Sequence, residues 1–218
     1  MQKKKDKEKK KEKSKNIVYN IGDMKNLDDK KDEEVIPYIL KSPGYLEIII
    51  LRYKDKLNRY IMRISNIPKE DVDDLIQDIF LSVYENLNSF NTNLSFSSWI
   101  YRIAHNKTIN FWKKHKDELS QINIEENLFL VESVFNENSV KIDIENIENA
   151  ELISKILEKL DPKYKEVLIL KFLEEKDYKE ISDILQKPMG TIATLLNRAK
   201  KRFRVELDKI ENPWQIKK

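Results

Sequence analysis

The firmest pattern in the sequence runs from Pro68 to Leu87, where apolar residues fall at Val72, Leu75, Ile76, Ile79, Phe80, Val83 and Leu87. That spacing keeps one stripe facing a core over about five turns, so it predicts an amphipathic helix. Pro68 suits the first helical position, where a missing N–H costs nothing, and Glu70, Asp71, Asp73 and Asp74 suit the positive end of the helix dipole. A different face of the same helix gathers Asp74, Gln77, Asp78 and Leu81. Such a face is either plain solvated surface or a docking surface for a partner.

A second helix is predicted to start at Ser95, as N-cap, and to run through "FSSWIYRIAHNKTINFWKKHK" to about Lys116. Phe96, Trp99, Ile100, Ile103 and Ala104 form its core stripe, while Tyr101, His105, Thr108 and Trp112 form another, flanked by Arg102, Lys107, Lys113 and Lys114. Aromatic rings between cations offer stacking surfaces and phosphate contacts, the chemistry of a single-stranded nucleic-acid platform. An aromatic stripe also packs well against a neighbouring helix, and the pattern leaves both uses open.

The helical pattern restarts at "LEKLDPKYKEVLILKFLEEKDYKEISDILQKPMGTIATLLNRAKKRF". Asp161 before Pro162 marks a helix start, and Lys165 to Leu173 carries an apolar run. Tyr178, Ile181, Ile184 and Leu185 line a short helix; after the turn Gln186-Lys187-Pro188, a longer one presents Ile192, Leu196, Ala199 and Phe203. From Lys187 to Arg204 there are six Lys or Arg and no acid. A short helix, a tight turn and a longer basic helix make a helix-turn-helix, with the apolar face on its own domain and the basic face toward DNA. Leu195, one step off the apolar stripe beside Thr191 and Arg198, is expected to face outward.

Charge and composition divide the 218 residues further. Residues 1–15 hold nine Lys against three acids, so the formal net charge of +3 hides a C-terminal remainder of −3. A Lys/Glu run of this kind is usually solvated and disordered. Between Asp117 and Glu151 lie ten acids and only Lys141, with no sustained apolar period, which reads as a linker. The expected fold class is all-α. A Lys-rich disordered extension (1–40) precedes a helical domain (41–116), an acidic linker (117–150), a helix-turn-helix domain (151–210) and a tail (211–218). Three Gly and six Pro leave few turns for a many-stranded sheet. The absence of Cys excludes disulfides and thiolate metal sites, and no apolar run is long enough for a membrane span, so a cytoplasmic protein is expected. The two histidines have no evident catalytic partner, no carboxylates fall at a recognisable metal spacing, and no Gly-rich phosphate loop is present. The expectation is a non-enzyme without metal or cofactor.

Over most of residues 41–210 the chain resembles a bacterial RNA polymerase sigma factor of the two-domain, extracytoplasmic-function type. "DLIQDIFLSVY" (Asp74 to Tyr84) resembles the region-two helix that binds the clamp helices of the polymerase largest subunit. "FSSWIYRIAHN" resembles the segment that melts and reads the minus-ten element on the non-template strand. "YKEISDILQKPMGTIATLLNRAKKRF" resembles the region-four helix-turn-helix that reads the minus-thirty-five element. The resemblance implies core polymerase and promoter DNA as partners and leaves room for an anti-sigma factor. It implies polymerase contacts at Asp74, Gln77 and Asp78, and minus-ten contacts at Asn91, Tyr101, Arg102, Asn106, Trp112 and Lys113. The loop Ser89 to Asn93 would close over a flipped base. In the second domain it implies minus-thirty-five contacts at Thr191, Thr194, Leu195, Asn197, Arg198 and Lys201, with Lys200 and Arg202 nearer phosphates. The acidic linker would thread the polymerase interior, its charge standing in for nucleic acid.

The sequence departs from that pattern in places. Gln186 stands where relatives commonly have Gly in the turn, so either the turn lacks a left-handed residue or it tolerates strain of about 1 kcal/mol. Ala193-Thr194-Leu195 stands where Lys-Ser-Arg is frequent, which removes two cations and alters the expected DNA preference. A helix-turn-helix regulator that is no polymerase subunit is the alternative. It would need neither the Asp74–Asp78 face nor the Tyr101/Trp112 stripe.

Overall fold

The computed structural model describes residues 27–65, 67–92, 94–115 and 147–211. Its elements there are helical: α1 (Asp32–Lys41), α2 (Leu46–Ile64), α3 (Lys69–Asn86), α4 (Phe96–Lys114), α5 (Ile147–Glu158), α6 (Pro162–Leu168), α7 (Tyr178–Leu185) and α8 (Met189–Glu211). A five-residue π-helical stretch, Ile169–Leu173, extends α6. The Lys-rich start, the acidic segment 116–146 and the tail 212–218 lie outside the described residues.

In the first domain α2, α3 and α4 pack on one another, and α1 lies against α4. The α3 stripe behaves as its spacing requires: Val72, Ile79 and Val83 are fully buried, and Leu75, Ile76 and Phe80 nearly so. Pro68 sits one position earlier than expected. Its ψ of 149° is extended, and its carbonyl accepts the first helical bond from the Val72 N–H at 3.0 Å, so it is the N-cap rather than the first helical residue. Ser95 caps α4 as expected, its hydroxyl accepting from the Ser98 N–H at 3.3 Å.

The expected disordered extension over 1–40 is corrected for its last part. Leu27, Val35, Ile36 and Ile39 are buried in the first domain's core. The Arg52 guanidinium fixes this segment, donating to Asp32 Oδ1 at 2.6 Å and to the Leu27 and Asp28 carbonyls at 2.7 Å each. Tyr53 donates a short hydrogen bond to the other Asp32 oxygen. Glu33 accepts from the Phe96 N–H at 2.7 Å, so α1 also satisfies a donor at the N-terminus of α4.

In the second domain α8 packs across α6 and α7. Asp161 caps α6 by accepting from the Lys163 N–H, with Pro162 at the first helical position. Asp177 and Glu180 form a reciprocal capping box on α7. Gln186 resolves the question of the turn: its φ of 52° is left-handed, so a non-glycine residue holds the strained conformation, its side-chain amide donating to the Asp183 carbonyl at 2.6 Å. Ile192, Leu196 and Ala199 are buried as the α8 stripe predicts, and Phe203 is half-buried. The domain begins at Ile147, four residues before the expected boundary at 151. The buried cluster is continuous from the first domain into the second.

Candidate nucleic-acid interface

Three surfaces carry the residues singled out from the sequence, and they differ in exposure. On α3, Asp74, Gln77 and Asp78 are exposed, and Leu81 beside them is 56% exposed. Because the opposite stripe already fills the core, the apolar side chain here is left to solvent rather than used in packing. No helix among the described residues is long and apolar enough to cross a membrane, and no group of three His, Asp or Glu there could hold a metal.

On α8, Thr191, Thr194, Asn197, Arg198, Lys200, Lys201 and Arg202 are all exposed. Thr194 donates its hydroxyl proton to the Gly190 carbonyl at 2.9 Å, leaving the oxygen as an acceptor. Leu195 differs from expectation: it is half-buried and packs against the core, because the α8 apolar face is wide enough to take in a residue beside the main stripe.

The α4 surface is divided along its length. Toward its C-terminus, Asn106, Trp112, Lys113 and Lys114 are exposed, and Asn91 is exposed on the preceding loop. Arg102 is half-buried. Tyr101, expected on the same platform, is only 1% exposed, and Thr108 is fully buried with its hydroxyl donating to the Ala104 carbonyl at 2.8 Å. Of the two uses the aromatic stripe allows, Tyr101 takes the packing one in this arrangement: the second domain lies on it.

That covering contact is polar and closely paired. Glu174, directly after the π-helical stretch, accepts from Arg63 of α2 through one carboxylate oxygen and from the Tyr101 hydroxyl through the other, both at 2.6 Å. Its side chain is 6% exposed. Lys176 donates to the Ser97 hydroxyl at 2.7 Å, and its ammonium lies 4.3 Å from the centre of the Tyr101 ring. His105 Nδ1 sits 2.7 Å from Glu166 Oε1 and 3.3 Å from the Tyr60 hydroxyl. Burial pushes the Glu174 carboxyl up, against the pull of Arg63 and Tyr101, and pushes Arg63 and Lys176 down. Burial, reinforced by the charge of Glu174, raises the Tyr101 hydroxyl well above its ordinary value, so it remains a donor. Between Glu174 and Lys176, Glu175 adopts a left-handed φ of 53°. No sequence pattern points to this cluster: Arg63, Glu174 and Lys176 read as ordinary surface charges, and Tyr101 as one ring of an aromatic stripe, until the domains meet.

Comparisons with known proteins agree with this division into two domains. Residues 49–118 match Sigma-70 region 2, and residues 150–203 match Sigma-70, region 4. The chain is 31% identical over 160 residues to the ECF RNA polymerase sigma factor SigW of Bacillus subtilis, covering 71% of this chain and 84% of that protein. It is 26% identical over 159 residues to SigM of the same organism, covering 73% and 93% respectively, and 27% identical over 161 residues to the ECF sigma-E factor of Escherichia coli, covering 70% and 81%. Two solved structures share the fold. One is CnrH in complex with the cytosolic domain of CnrY, with a TM-score of 0.60 and 19% identity over 81% of this chain and 97% of that one. The other is the sigma factor RpoE with the anti-sigma factor NepR from Bartonella quintana, with a TM-score of 0.56 and 20% identity over 74% and 96%.

Proposed function

The chain belongs to the ECF RNA polymerase sigma factors, and we propose that it binds core polymerase, directs it to specific promoters and helps to melt their minus-ten region. The observation that carries this reading is the presence of both Sigma-70 regions on one chain, each with a solvated face of suitable chemistry. The α3 face of Asp74, Gln77 and Asp78 takes the clamp helices of the polymerase largest subunit. Charge and amide groups there give orientation, and Leu81 adds apolar area.

The α8 face enters the major groove at the minus-thirty-five element. Thr191, Thr194, Asn197 and Arg198 are in reach of base edges, and Lys200, Lys201 and Arg202 of phosphates. Leu195 contributes the edge it leaves exposed, suited to a thymine methyl. Asn91, Arg102, Asn106, Trp112 and Lys113 contact the non-template strand at the minus-ten element, joined by Tyr101 once it is uncovered. On this reading the protein is a transcription initiation factor working in the cytoplasm, with no reaction of its own and no cofactor. An anti-sigma factor is a fitting third partner, as one is for RpoE of Bartonella quintana.

Run-off transcription tests this. Purified core polymerase is incubated with genomic fragments, with and without the protein. Discrete new transcripts that depend on the protein are expected. Transcripts unchanged by the protein, together with duplex binding that needs no polymerase, would support an independent helix-turn-helix regulator instead.

A further inference from the structure

We propose that Asn197 sets the sequence preference of the second domain, its carboxamide reading one adenine in the major groove while the cations beside it hold phosphates. The inference rests on the reading of α8 as the minus-thirty-five helix. Gly190, Thr194, Asn197, Arg198 and Lys201 fall at i, i+4, i+7, i+8 and i+11, which gathers them on one face of α8, opposite the buried Ile192, Leu196 and Ala199. All five are exposed, and no acid stands among them.

The side chains on that face leave few ways to read a base. Gly190 has none, and a Cβ placed there would meet nothing within 4 Å, so the first turn of the face is bare and open. Ala193 beside it adds only a methyl. Thr194 turns its hydroxyl proton back to the Gly190 carbonyl at 2.9 Å, so it accepts but does not donate, and Leu195 gives part of its side chain to the core. A first turn this small lets the helix sit close to the base edges, which brings Asn197 on the next turn within reach. Asn197 is the first residue along the face to offer a donor and an acceptor together. That pair matches adenine, whose N7 accepts from the amide N–H while its N6 amine donates to the amide oxygen. Guanine presents two acceptors there, cytosine a donor alone, and thymine an acceptor beside a methyl, so none offers the same combination. Arg198 is the competing reader, since a guanidinium suits guanine. The Lys163 ammonium, at the start of α6 and paired with Asp161 at 3.0 Å, lies near enough to feel the charge of Arg198. Two cations brought together from packed helices suit a phosphate, which carries a full negative charge, better than a base edge. Lys201 continues that line of cations one turn on.

The test selects binding sites from duplexes with a randomised minus-thirty-five segment, using the full chain on core polymerase. The unaltered protein is compared with Asn197→Ala, Asn197→Arg, Arg198→Ala and Lys201→Ala. Asn197→Ala is expected to lower the enrichment of adenine at one position about tenfold, and Asn197→Arg to exchange that adenine for guanine. Arg198→Ala and Lys201→Ala should weaken binding to all sequences and flatten its salt dependence, with the selected sequence unchanged. A selected sequence that survives Asn197→Ala unaltered would overturn the assignment and leave the sigma-factor reading standing. Loss of a selected base in Arg198→Ala, with none lost in Asn197→Ala, would make Arg198 the reader and overturn it equally. Failure of the chain to bind polymerase would count against the sigma-factor reading alone. The same selection, run on the full chain by itself, then decides the role of Asn197 by the same outcomes.

Discussion

The two faces proposed for nucleic acid, on α4 and α8, look alike in sequence and are treated differently by the fold. Each is a helix with one apolar stripe and a second stripe of polar, aromatic and basic residues. On α8 the second stripe is open water-facing surface, from Thr191 to Arg202. On α4 it is split: Trp112 and Lys113 are exposed, whereas Tyr101 is buried under the other domain, one of its donor and stacking functions met by Glu174 and the other by Lys176. Amphipathic spacing therefore fixes which face meets the helix's own core. It does not fix whether the opposite face meets solvent, nucleic acid or a second domain.

Substitutions in the buried domain contact and on the open α8 face should separate these roles. Arg63→Ala leaves Glu174 buried without its cation, and removing one partner of a buried pair costs about 3–5 kcal/mol. Urea unfolding should show that loss, against a change within about 0.5 kcal/mol for the exposed Asn197→Ala. Equal effects of the two would erase the distinction between the faces. Tyr101→Phe keeps the ring and removes one donor to Glu174, and should cost about 1–3 kcal/mol in the same measurement. Trp112→Leu should instead act on function, costing about 1–3 kcal/mol of non-template strand binding when measured with polymerase present.

A smaller effect is expected from Lys201→Ala. Promoter binding should weaken nearly uniformly across sequences, and the slope of log K against log salt should fall by roughly one counterion. Smallest is Gln186→Gly, which relieves a left-handed residue at the helix turn but frees the unfolded chain. A net gain of about 0.5 kcal/mol is expected, read as a modest rise in Tm, because strain relief of about 1 kcal/mol exceeds the added entropy of glycine.

Most of the fold was legible because it rests on local signals: the Val72 to Val83 stripe, the Ser95 and Asp161 caps, and the short-helix, turn, long-helix order that ends in α8. The start of the folded part was missed. Val35, Ile36 and Ile39 do share one helical face, but Asp, Glu and Lys surround them, and their anchor, Arg52, is twenty residues from Asp32 in sequence. The domain contact was not legible at all. Glu166, Glu174 and Lys176 lie 61 to 111 residues from the side chains they meet, and no periodicity encodes such a pairing. Leu195 shows the limit in the other direction, since a stripe drawn from four positions left out a fifth that the fold packs against the core.

The most direct test of the contact between the two domains uses the fact that the chain contains no cysteine. Glu85→Cys and Lys187→Cys, both at exposed positions, place one dye on each domain. Single-molecule energy transfer is then recorded for the free protein, with and without Arg63→Ala. One narrow distribution that broadens when Arg63 is removed from Glu174 is the predicted result. A broad distribution in the unaltered protein would contradict it.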